Sequence, residues 1–447
     1  MNEGLLQLAA SMWEGSSSAS RAWIVFAVPA GLLAVFWLVE LFLLRDRPGQ
    51  AGHSDFDTGD ASSGEDEKPV PALELFKRIL TNPIILTVAF IELCTGVLRN
   101  GVMHWFPIYA KEIWVLPTDH LLRIGWSPWD AESPHTDALL VVVAIGWGVA
   151  LVSGVIAYFG RGPRRAYLII AASLAFLAPF FTQGWGGLLF IAGVVGGNVA
   201  GWVSDLFFQS RRAPAAGGLY LILAVAAIAM GFTLARPTNV VEWARDGSGV
   251  EAGDEILSIA GVSEVEGWAD VRNAVACWEP TCRDSHWDPA ECICSSRAAP
   301  RPAVAEDRPI PARVRRGGEV LDLELPDPAA RQRAGDLRLL AARPVLPLSP
   351  WVLGVIVFLI SLCVIGTHGL LSGTATMDFG GRKGAATAVG VIDGFVYAGT
   401  ALQSISLGYL TTADWGYWPW FLVPFAVIGF VLSLRIWNAK PKGRGGH

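Results

Sequence analysis

The chain has 447 residues, of which 52% are hydrophobic and 17% charged, with 19 tryptophans and a mean hydropathy of +0.43. That composition is the composition of a polytopic membrane protein. The net charge of −6 leaves no nucleic-acid footprint, because the basic residues sit in short clusters at the ends of apolar runs. No nucleophile triad, phosphate-cradling glycine loop or metal-ligand helix motif is present, so enzyme chemistry, a metal and a cofactor have no support.

Nine apolar stretches follow one another near 22–44, 83–108, 138–159, 166–182, 186–208, 215–235, 351–373, 385–410 and 418–437. Each is long enough to cross a bilayer as a helix. Only helices or closed barrels satisfy the backbone in lipid, and runs of this length joined by short turns are antiparallel helices. The expected fold is an all-α polytopic membrane protein of about nine transmembrane helices, meeting lipid all round. The first twenty residues lack a basic n-region and a cleavage site, so no removable signal peptide is expected. The chain divides into a first helix (1–45), a polar, acidic linker (46–80), a helical block (81–236), a long polar insert (237–348), and three last helices with a basic tail (349–447).

The second span, 83–110, carries Glu92 and Arg99 inside its apolar run. A charge at that depth costs several kcal/mol unless it faces protein or water, and so marks a functional site by default. Glu92, Gly96, Arg99 and Met103 share one helical face. Arg99 is expected to bind an oxyanion through its guanidinium fork, with Gly96 leaving room for the ligand. The bland alternative is that Glu92 and Arg99 neutralise each other two turns apart. Trp114, Trp126 and Trp129 in 111–137 suit an interfacial loop.

Orientation follows from the short loops. Arg45, Arg47, Lys68, Lys77, Arg78, Arg161, Arg164, Arg165, Arg211, Arg212, Arg382, Lys383, Arg435, Lys440, Lys442 and Arg444 lie on one side. Arg21, Lys111 and Arg123 lie on the other. The first side is therefore read as cytoplasmic, with the N-terminus outside and the C-terminus inside.

The insert 237–348 falls on the outer side. Its Gly253-Asp-Glu-Ile-Leu257 stretch reads as a turn and strand. Pro311–Leu325 reads as two strands about the Gly317-Gly318 hairpin. These stretches resemble a PDZ domain, which implies a small α+β or β module able to bind peptides by strand addition. Cys277, Cys282, Cys292 and Cys294 cluster within it. Their spacing is not that of a usual zinc finger, and in an outer compartment two disulfides are the favoured reading over zinc.

Further motifs point to a family. They are Gly96-Val-Leu-Arg99 running into Trp105-Phe-Pro107-Ile-Tyr109, Gly201-Trp-Val-Ser-Asp205 leading to Arg211-Arg212, and Met377-Asp-Phe-Gly-Gly-Arg382-Lys383. Together they resemble the C-terminal half of the major facilitator superfamily, more narrowly the organophosphate:phosphate antiporters. The resemblance covers 22–112, 186–235 and 351–437. Spans 22–44 and 83–110 look like the family's sixth and seventh helices, with 138–182 an extra inserted pair. The family's substrate site lies at the midplane between two halves. The resemblance implies that Arg99 is the seventh-helix arginine that binds substrate phosphate with a partner arginine from the first helix. The family's first five helices have no counterpart in the matching stretches, which implies a separate N-terminal half as a partner, a true start upstream of Met1, or a different role for this chain.

Other candidates are weaker. Asp205 with Arg211 and Arg212 reads as a gating latch or a topology-setting loop. Asp393 reads as a proton or cation coupling site, or as a partner of His368. His368 and Tyr397 are candidate lining residues of the substrate cavity, and Gly390, Gly394 and Gly399 read as close helix packing. Two functions compete: a secondary transporter for organic phosphate or a related anion, exchanged for inorganic phosphate in a bacterial inner membrane, and a non-transporting membrane sensor or scaffold whose PDZ-like domain binds a partner.

Overall fold

The structure, a computed structural model, describes residues 23–45, 48–52, 72–114, 116, 120–122, 136–182, 184–241, 244, 249–267, 270–271, 274, 309–325, 342–344, 346 and 348–439. The four cysteines Cys277, Cys282, Cys292 and Cys294 lie outside the described residues, as does most of the 46–80 linker. Among the described residues nine helices are long and apolar enough to cross a membrane, and a small antiparallel sheet accompanies them. The chain is a multi-pass membrane protein.

Two units are distinct, Met1–Gly59 and Asp60–His447. The first holds helix α1, Ile24–Leu43, with apolar side chains exposed all round and Pro29 inside. It also holds a 3-10 turn, Pro48–Ala51, and the second unit holds the rest of what is described.

That unit opens with α2, Ala72–Thr81, a short amphipathic helix that buries Ile79. Helix α3, Pro83–Met103, follows. Asn82 caps it by accepting from Ile84 N at 3.0 Å, and Pro83 at the first position needs no hydrogen-bond partner. Pro107 cannot donate to the Met103 carbonyl, and the helix breaks at His104 before resuming as α4, Trp105–Glu112. Then come α5, Thr136–Phe159, and α6, Pro163–Leu177, ending in a 3-10 turn, Ala178–Thr182. Helices α7, Gly184–Phe208, and α8, Arg212–Thr233, precede the insert. After it stand α9, Pro350–His368, a π-helical segment Gly369–Ala375, α10, Thr376–Ala413, and α11, Tyr417–Arg435.

Helices α3, α7, α8, α9, α10 and α11 form one bundle with a shared core. Glycines set its closest contacts. A Cβ on Gly96 would overlap the Val396 carbonyl of α10, and one on Gly399 would overlap the Leu93 carbonyl of α3. Gly196 and Gly366 play the same part between α7 and α9, against Leu362 and the Gly196 carbonyl. Such positions let backbones touch where lipid offers no hydrophobic drive between helices. The contacts Phe90–Phe395, Gly96–Val396 and Asn100–Thr400 rise together along both chains, so α3 and α10 run parallel. Helices α8 and α11 run antiparallel, with Gly217 near Trp437 and Gly231 near Trp420. Tyr220 of α8 lies on Gly429 and donates to the Ile91 carbonyl of α3 at 2.7 Å.

Helices α5 and α6 pack on each other, with Gly146 against Pro179, and reach α7 through Phe180 and Phe190, whose rings are 4.5 Å apart. Most of their surface is exposed.

Between α8 and α9 the chain leaves and returns through two paired strands, β1, Ala235–Pro237, and β5, Ala342–Pro344. Inside that clasp, β2, Glu255–Ile259, β3, Ile310–Arg316, and β4, Glu319–Leu325, make an antiparallel sheet in the order β2-β3-β4. The expected hairpin turns at Gly317 and Gly318, whose φ angles of 57° and 90° are left-handed and suit glycine. The sheet buries its own core of Val241, Ile256, Ile259, Ile310, Val314 and Leu325.

Candidate functional site

The middle of span Pro83–Ala110 falls between Glu92 and Arg99, which stand about 10 Å apart along the axis at ~1.5 Å per residue. The two do not pair. Glu92 is fully buried, and its Oε2 lies 2.7 Å from His368 Nδ1 at the end of α9. Its other oxygen, Oε1, is buried with no hydrogen-bond partner among the described residues. The reading in which Glu92 and Arg99 neutralise each other is therefore set aside, as is the pairing of His368 with Asp393. Asp393 instead accepts a hydrogen bond from Ser372 of the π-helical segment at 2.7 Å.

That contact has a topological meaning. A straight helix would hold residues 372 and 393 about 30 Å apart. The chain must therefore double back between them, beyond the π segment that holds Ser372. Wide-turn segments of this kind re-aim side chains and concentrate at functional sites. Here His368 precedes the segment and Ser372 sits inside it. Arg382 and Lys383 fall within α10 where only the backbone is described.

Arg99 is half-buried and makes no hydrogen bond or ion pair with any described residue. A guanidinium held near mid-span without a partner is a ready anion anchor, because its fork accepts a phosphate or carboxylate in two parallel bonds. Gly96 was expected from the sequence to make room for that ligand, and it does not. Its bare side is filled by the α10 backbone at Val396. Close helix packing falls to Gly399. Gly390 and Gly394 are open and line an apolar cleft of about 810 Å³ with Phe76, Leu93 and Phe395. Tyr397 is 69% exposed, on the side of α10 away from the buried Val396.

At the far end of the bundle Asp205, Arg211 and Arg212 are only partly brought together. Arg212 reaches Asp205 at 2.8 Å, and Ser210 also donates to Asp205, while Arg211 turns to the Phe208 carbonyl instead. Gln209 and Ser210 adopt positive φ to make the turn.

The opposite end was not anticipated. Phe106, Tyr109, Trp185, Trp415 and Trp418 form an aromatic cluster, with Phe106 and Trp185 edge to face at 4.6 Å. Trp418 Nε1 donates to the Gly101 carbonyl at 2.7 Å. Tyr109 Oη donates to the Ala235 carbonyl at 2.9 Å and accepts from Ala235 N at 2.7 Å, tying α4 to the first strand of the insert. Sequence signals for this were present in Trp105-x-Pro107-x-Tyr109 and in the tryptophans of 415–420. Their convergence was not, because the rings come from three separate segments.

No known family profile matches the chain, and no solved structure matches it. Among curated proteins it is similar to a "probable hexose phosphate transport protein" of Chlamydia trachomatis, 31% identical over 99 residues. The match covers 22% of this chain and 21% of the relative, so the chain matches about a fifth of that protein's length.

Proposed function

We propose that this chain is the C-terminal half of a secondary transporter for organic phosphates, of the major facilitator type, exchanging them for inorganic phosphate across a bacterial inner membrane. The observation that carries the reading is Arg99, a cation near mid-span with no partner among the described residues. The similarity to a hexose phosphate transport protein supports it, as do the motif residues Trp105, Pro107 and Tyr109 directly after Arg99. On this reading Tyr397 and His368 border the cavity, a separate N-terminal half closes it, and the Asp205–Arg212 contact breaks as the halves rock. Glu92, which touches His368, shapes the cavity from behind. The PDZ-like insert and the N-terminus face the periplasm, following the basic-residue asymmetry. The competing sensor reading relies on strand addition at the insert. At β2 the outer edge is already bonded, with Val241 N donating to the Asp254 carbonyl and Ile256 N to the Asn239 carbonyl.

The test is calorimetric titration of the full chain in lipid nanodiscs with glucose 6-phosphate and with inorganic phosphate. Arg99→Lys keeps the charge but loses the fork. Affinity is expected to fall by roughly 1.5–3 kcal/mol, the worth of one charged hydrogen bond. Equal affinity in wild type and variant, both monodisperse, would overturn the assignment.

A further inference from the structure

Three features of the α3–α9–α10 junction go beyond the anion anchor at Arg99. The first is a fully buried carboxylate whose Oε2 touches a histidine and whose Oε1 has no partner among the described residues. The second is that the histidine is not sealed in. The His368 side chain is 25% exposed, and among the described residues only its Nδ1 is engaged. The third is Asp393, which is half-buried and bound to Ser372 of the π segment directly after His368. Other ionisable groups around Glu92 are Tyr220 on α8 and Cys94 and Arg99 on α3 itself.

A lone carboxylate deep in a membrane bundle is costly, and a pair whose net charge can be cancelled by one proton is not. With Nδ1–H donating to Glu92 Oε2, the neutral imidazole carries its lone pair on Nε2. One proton arriving there from water leaves an imidazolium beside a carboxylate. The pair's charge then goes from −1 to zero, and no other bond changes. The exposed edge of the ring is the entry port, and the buried carboxylate is what holds the proton.

We propose that Glu92 and His368 form an intramembrane proton-binding site, and that an anion bound at Arg99 draws one proton onto this pair, so that transport is proton-linked. The anion half of this statement rests on the function proposed above; the proton site itself does not. The coupling is electrostatic. An empty Arg99 guanidinium repels a proton on the pair, and an anion seated on it cancels that repulsion. Over about 10 Å, at an effective dielectric of about 20, one unit charge changes the proton affinity about tenfold. By reciprocity the proton strengthens anion binding by the same factor.

The experiment uses the full chain in nanodiscs, labelled with 15N-histidine, with the His368 signal identified by its loss in His368→Gln. The His368 nitrogen signals are expected to report the gain of one proton as pH is varied. Their midpoint should rise by about one pH unit when glucose 6-phosphate is added, with matching uptake of protons from weakly buffered solution. Glu92→Gln should lower the midpoint, which loss of a mere packing contact would not do. If Glu92→Gln fails to fold, the wild-type titration still decides. A His368 that does not titrate, or one that responds to sodium at fixed pH, would overturn the proton site. Bound anion with no shift and no uptake would overturn the coupling while leaving the transporter reading intact. Absence of any anion binding would overturn that reading and the coupling, with the titration still judging the pair.

Discussion

Asp254 in the insert is 1% exposed, yet it is fully satisfied. Arg316 grips it with two parallel bonds, Nε to Oδ1 at 2.8 Å and Nη2 to Oδ2 at 2.7 Å, and Glu251 N adds a third. The Arg316 guanidinium, more than the opposing effect of burial, holds the Asp254 carboxyl below the usual aspartate range. A depressed carboxylate gives stability that is complete above the unfolded value of about 4. That stability is lost as pH falls through the lower folded value. Protection of the β2 to β4 amides, taken relative to the unfolded chain at the same pH, is therefore expected to be full at neutral pH and to fall as the solution is taken below about pH 4. Asp254→Asn should remove about 2 kcal/mol of protection at neutral pH; unchanged exchange in that variant would show that the pair contributes nothing. This residue was visible in the sequence only as part of a Gly-Asp turn, since its partner stands 62 residues on. Glu92 and Arg99 announced themselves because charges interrupt an apolar run. That Glu92 belongs to His368 could not be read, because the two are brought together by helices 276 positions apart in the chain.

The nine spans were legible because membrane thickness dictates a length that composition alone reveals. The hairpin at Gly317-Gly318 was legible because its turn requires left-handed residues. Which helices pair was not, because every span is apolar on several faces and the pattern does not name a neighbour. The structure resolves this through glycines: Gly96 with Gly399 joins α3 to α10, and Gly196 with Gly366 joins α7 to α9. In each case an added methyl meets backbone, which cannot rotate aside. Gly96→Ala and Gly196→Ala are expected to cost about 1–3 kcal/mol each through overpacking, read as a lower melting temperature in detergent. Gly197→Ala, one residue along on the open side of α7 with nothing within 4 Å, is the control and should melt with the wild type. Equal melting of all three proteins would show that the close approaches do not matter.

For the whole molecule, the sheet of the insert has a core separate from that of the bundle. Its ends are clasped by β1 and β5, with Pro237 facing Ala342. Replacing residues 238–341 by Asn-Gly would turn that clasp into a two-residue hairpin. The shortened protein is expected to remain monodisperse in detergent with its bundle intact; aggregation would show that the insert supports the helices. The clasp also bears on how the protein is made. The last three spans are synthesised after the insert, yet α9 must settle between α7 and α8. An open chain of that length would make α9 search a wide volume for its place. Once the insert folds and β5 zips onto β1, the ribosome is delivering a helix already tethered beside its neighbour, and a hundred-residue excursion has become, for assembly, a short turn.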